Sequence, residues 1–134
     1  MLSLDTILAT DTLQPRKVQV PEWGGHVYVA ALTADQRDEF ETEWQRIKDA
    51  RKQEDNVGFR AFLVASTLCD ESNRLLCVNG KRESSADALG AKAAGPINRI
   101  FNAACELNGL TKDDVEELEK NSEAAPAPLS TDGK

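Results

Sequence analysis

"VPEWGGHVYVAALTADQRDEFE" at residues 20–41 decides the fold. Its first half alternates. Val18 and Val20 precede a Pro-Glu-Trp-Gly-Gly step, and Val27 and Val29 follow it. Alternation at period two puts each valine pair on one face of an extended strand. Gly24 and Gly25 supply the positive φ values that a tight turn needs, so residues 18–32 read as a β-hairpin. The second half changes period. Thr33 and Gln36 form a capping box, in which each side chain reaches the other's backbone N–H. Phe40, Trp44 and Ile47 then recur at i, i+4 and i+7 on a helix running to about residue 52. Its remaining positions are polar, so it carries one narrow apolar seam.

Working outward, "SLDTILAT" (3–10) reads as a short helix capped by Ser3. Pro15 makes the next segment a connector. "FRAFLVASTL" (59–68) is apolar nearly all round and reads as a buried central helix, with a strand as the alternative. "CDESNRLLCV" (69–78) holds a turn at 70–73 between short extended pieces, and "NGKRE" reads as another turn. Ser84 and Asp87 form a second box, opening a helix through Leu89. Pro96 suits a first helical position. Ile97, Ile100, Phe101, Ala104 and Leu107 give the best amphipathic stripe in the chain. Gly109 suits the left-handed position after that helix, with Leu110 packing back on it. Thr111 and Asp114 then cap a short helix holding Val115 and Leu118. Residues 122–134 are rich in Ala, Pro and Ser and predict a disordered tail. The fold class is therefore α+β: a predominantly helical single domain over residues 1–121 with a small N-terminal β-hairpin.

The 134 residues carry 16 Lys and Arg against 23 Asp and Glu, a formal charge of −7, which disfavours nucleic acid as a partner. No apolar run reaches the length of a membrane span, and no signal peptide is evident, so the cytoplasm is the expected compartment. An odd count of cysteines (Cys69, Cys77 and Cys105) points to reduced thiols that fill small apolar spaces, although a Cys69–Cys77 disulfide across the turn is conceivable. The single histidine, His26, lies in the hairpin, and no spacing resembles a zinc, calcium or phosphate site. Glu39, Glu41 and Glu43, and Asp113, Asp114, Glu116 and Glu117, read as solvated helix faces. No metal, cofactor or catalytic group is expected, and the enzyme reading has little support.

The ordered set of motifs is similar to a known family. The Trp-Gly-Gly hairpin stepping through "LTADQRDEFE" (32–41), then "FLVASTLCDESNRLL" (62–76), then "INRIFNAACELNGLTKDDVEELEKN" (97–121), resembles the tail assembly chaperones of long-tailed bacteriophages and prophages. The similarity spans roughly residues 3–123. It departs from the family at "SNRLLCVNGKRESS" and at Gly95 and Pro96. The resemblance implies a non-catalytic assembly factor that binds the tape measure protein, keeps it soluble, escorts it to the tail tube and is left out of the virion. It also implies that some members exist in a longer, frameshifted form. Tail tube protein and further copies of the chain are additional candidate partners. A structural virion component, such as a minor tail or head–tail connector protein, is the alternative. The candidate partner-binding residues are Trp23, Phe40, Trp44 and Ile47. For each, packing within the core is the competing role.

Overall fold

The computed structural model describes residues 1–11, 13–51, 58–78 and 80–120. Helix α1 (Leu4–Ala9) starts the chain, followed by strand β1 (Arg16–Val20), a 3₁₀ turn (Pro21–Trp23) and strand β2 (Gly25–Val29). Helices α2 (Ala34–Ala50) and α3 (Phe59–Thr67), the two-residue strand β3 (Leu68–Cys69) and helices α4 (Lys81–Gly90), α5 (Ala94–Leu107) and α6 (Lys112–Lys120) complete it. The architecture is α+β, as the alternating and helical periods predicted. The predicted tail at 122–134 lies outside the described residues.

The hairpin pairs Val18 with Val27 and Val20 with Gly25, so the valines of both strands line one sheet face. That face is packed on the core, with Val18, Val20 and Val29 buried and Val27 half-buried. Strand β3 pairs with the other edge of β2, giving the antiparallel order β1-β2-β3. The turn differs from the expectation in one respect. Only Gly24 adopts a positive φ, +81°, because the 3₁₀ turn needs a single left-handed residue to close, and Gly25 is already the first residue of β2.

The core is organised around α3. Phe59, Phe62, Leu63 and Val64 are buried, and α3 packs between α4 and α5 while α2 lays its seam across it. Its two buried polar residues remain internal because their hydroxyls donate to helix carbonyls: Ser66 Oγ to Phe62 O at 2.7 Å and Thr67 Oγ1 to Leu63 O at 2.8 Å. The Thr33 capping box forms as predicted, with both reciprocal bonds at 3.0 Å. The Thr111–Asp114 pair does the same for α6. At the end of α5, Leu110 N donates to Cys105 O at 2.8 Å and Gly109 N to Glu106 O at 3.4 Å. With Gly109 at φ +67°, these bonds complete a Schellman motif.

Two helix starts differ from the sequence expectation. Helix α4 begins at Lys81, directly after Gly80 at φ +84°, so Ser84 and Asp87 lie inside it rather than at its cap. Ser84 Oγ donates back to the Lys81 carbonyl at 3.3 Å. Helix α5 begins at Ala94, which puts Pro96 third in the helix; an N–H there would have had no intrahelical partner in any case.

Two asparagines hold the crossing from sheet to α2. Asn108 Oδ1 accepts from Leu32 N at 2.8 Å, and its Nδ2 donates to Ala30 O at 3.0 Å. Asn73, left-handed at φ 66°, exchanges both bonds with the Ala31 backbone at 3.0 and 2.9 Å. The backbone at 30–32 leaves the ladder there, and these side chains replace the partners it would have had in a strand.

Charge also locks α2 to α4. Arg82 is only 9% exposed; its Nη1 lies 2.7 Å from Glu43, and its Nε has no partner. Arg51 bridges Glu83 at 2.6 Å and Asp87 at 3.0 Å. Glu43, expected on a solvated face, is thus largely covered and paired, because the α2–α4 contact places a guanidinium against it.

Candidate functional site

The tip of the hairpin is the most specifically built exposed feature. Pro21 opens the 3₁₀ turn, and Gly24 N closes it on Pro21 O at 3.0 Å. Glu22 on that turn makes a fork-to-fork pair with Arg99 of α5, at 2.8 Å from Nη1 and 2.7 Å from Nη2. Arg99 Nη1 also donates to Gln19 O at 3.3 Å. The Arg99 hydrogen bonds, aided by a backbone bond, hold the Glu22 carboxyl down at about 2. The tip is therefore clamped to α5 on one side. Trp23, next to the clamp, stays 40% exposed.

The other three candidates lie elsewhere. Phe40, Trp44 and Ile47 are 1%, 3% and 0% exposed. Phe40 and Trp44 each pack on Phe59 and Phe62, with ring centroids 5.1–5.9 Å apart. Trp44 Nε1 donates to Leu118 O at 2.8 Å, so the indole also tethers the end of α6. Lys48 adds donors to Leu118 O, at 3.3 Å, and to Glu119 O. Of the two roles open to the α2 seam, packing within the core is the one these three side chains take here. These side chains are core in this fold, because α3 presents two phenylalanines to them, and they form no common surface with Trp23.

Sequence reasoning missed a second exposed feature. Helix α1 is well formed, with Ser3 Oγ accepting from Thr6 N, yet none of its residues is buried. Leu4, Ile7 and Leu8, together with Leu2 before them, are large apolar side chains left in solvent. The spacing of Leu4, Ile7 and Leu8 at i, i+3 and i+4 was the available signal. Leu76 and Val78 are exposed as well.

His26 is exposed and stands edge-on to Tyr28, ring centroids 5.3 Å apart. All three cysteines are free thiols, so the conceivable Cys69–Cys77 disulfide is absent. Burial first, and Asp70 second, push the Cys69 thiol up to about 11. Burial also raises Cys105, partly opposed by Arg60. Both remain protonated thiols near neutrality and so are weak nucleophiles. Among the described residues, no group of three or more His, Cys, Asp or Glu could hold a metal ion, and no helix is long and apolar enough to cross a membrane.

Residues 6–121 match the family described as phage tail assembly chaperone. No curated protein and no solved structure matches the chain. The matched span runs from the first turn of α1 to the residue after α6, taking in the clamped hairpin, the aromatic core and the Schellman stop. The chain belongs to the phage tail assembly chaperone family.

Proposed function

We propose that this chaperone binds the tape measure protein in the host cytoplasm, keeps it soluble and hands it to the growing tail tube, without catalysing a reaction and without entering the virion. One observation carries the reading: a tryptophan held out of the fold on a clamped turn, in a chain of this family. Tryptophan is the side chain most enriched at binding hot spots. Here its turn is fixed beforehand by the Glu22–Arg99 fork, so little ordering cost falls on binding.

A long helical client outside its tube exposes apolar faces that aggregate. Trp23 would insert into such a face, and the −7 charge would keep the complex dispersed. Handover requires release, which an affinity of order micromolar, about −8 kcal/mol, allows. The test is co-expression with the tape measure protein of the same phage. The wild-type chain raises the soluble yield, Trp23→Ala lowers that gain at unchanged chaperone level and melting temperature, and purified particles lack the chain. Full solubilisation by Trp23→Ala removes Trp23 from the contact. A stoichiometric copy in particles supports a structural virion component instead.

A further inference from the structure

Helix α1 and one groove of the body are complementary in character. The groove lies between α3, α5 and α6 and has a volume of about 340 Å³. Phe101, Cys105, Leu110 and Val115 make its apolar floor, with Arg60 and Lys112 among its lining residues and no carboxylate among them. Arg60 sits over the Phe101 ring at 4.8 Å and donates to Asn98 Oδ1 at 3.0 Å, so its charge is held at the groove. The arm is the complement. Leu4, Ile7 and Leu8 form a short apolar ridge, and Asp5 and Asp11 are the only charged side chains before Arg16.

We propose that α1 of one copy seats in the α3–α5–α6 groove of a second copy. Exposed apolar helices in solution need a cover, and the acidic arm and the basic, apolar groove are both present on every chain. In the structure α1 stands off its own body with no residue buried, so it is offered outward. The contact joins two different surfaces, and copies therefore add head to tail. Trp23 takes no part in it, so the assembly stands or falls separately from tape measure binding.

Cys105 is a built-in reporter in the groove. In the full-length chain, Leu8→Cys is combined with Cys77→Ser; Cys69 is buried and out of reach. Mild oxidation at alkaline pH is expected to link the introduced thiol to Cys105 of another copy, giving disulfide-bonded multimers that vanish when Cys105→Ser is added. A link formed within one chain overturns the proposal in favour of an arm that folds back on its own groove, a geometry the Arg16–Glu106 ion pair at 2.8 Å leaves within reach. No link to Cys105, or a link only between two introduced thiols, overturns it as well. Sedimentation equilibrium gives an independent reading. The wild-type chain should associate at micromolar concentrations, and Ile7→Lys should raise the dissociation constant at least about tenfold. Asp5→Lys should weaken association, and Lys112→Glu should restore it. A wild-type chain that stays monomeric throughout refutes the contact.

Discussion

Replacing Asn108 with alanine tests whether side chains hold the crossing from sheet to α2. The substitution removes an acceptor from Leu32 N–H (2.8 Å) and a donor from Ala30 O (3.0 Å), along with a third bond to Ala104 O (3.0 Å). Ala104 O still accepts from the Asn108 backbone N–H, so the first two bonds dominate. Ala30 is fully buried and its carbonyl is poorly placed to recruit water. Each orphaned backbone group costs about 1–3 kcal/mol, and the two together about 2–4 kcal/mol. For a chain of this size the melting temperature should fall by roughly 8–15 °C. The assay is urea unfolding followed by far-UV circular dichroism, with the slope checked for constancy. Asn108→Asp keeps the acceptor and loses the donors, so it should retain part of the stability. Asn73 acts on the same three-residue segment, so Asn108 and Asn73 variants should couple by more than about 0.5 kcal/mol. A loss under about 0.5 kcal/mol for Asn108→Ala would refute the argument, since the crossing would then be held by apolar packing alone.

Trp44→Phe keeps an aromatic ring on Phe59 and Phe62 but drops the donor to Leu118 O; it should cost about 1–2 kcal/mol and speed hydrogen exchange across residues 112–120. Glu22 has its carboxyl lowered from 4.5 to about 2 in the fold, so its pairing with Arg99 stabilises the native state above pH 4.5 and is lost as pH falls through about 2. The pair is half-exposed and screened by solvent, so the sharper readout is the carboxyl resonance, whose midpoint should climb toward 4.5 in Arg99→Met. Cys69, buried and with its thiol pushed up to about 11, should resist alkylation at pH 8 until the chain unfolds. Alkylation of native Cys69 as fast as a free thiol would place it on the surface.

The elements that were legible from sequence are those whose signals are local. Thr33 with Gln36, Thr111 with Asp114, and Gly109 after Leu107 each use contacts within a few residues, and each forms as predicted. The start of α4 was misplaced for the converse reason. Its first turn has no side-chain cap and begins from a left-handed Gly80, whereas Ser84 and Asp87 imitate a box inside the helix. Strand β3 has two residues, too few for alternation to show, and exists because β2 has an open edge. The seam at Phe40, Trp44 and Ile47 was read correctly as apolar. Periodicity gives a stripe its width but not its neighbour, and the neighbour is α3. The turn that carries the exposed Trp23 is held by a two-pronged ion pair between Glu22 and Arg99, 77 positions apart in the sequence, a contact no local pattern encodes. The α1 ridge was visible as Leu4, Ile7 and Leu8, but only the fold shows that none of these side chains is buried among the described residues.

In the proposed complex Trp23 touches the client while the aromatic core stays closed. Hydroxyl-radical footprinting of the soluble complex with the tape measure protein, against the chaperone alone, measures this directly. Oxidation of Trp23 should fall severalfold in the complex, with Trp44 protected in both samples. Equal Trp23 oxidation in the two samples, or Trp44 becoming reactive only in the complex, would contradict it.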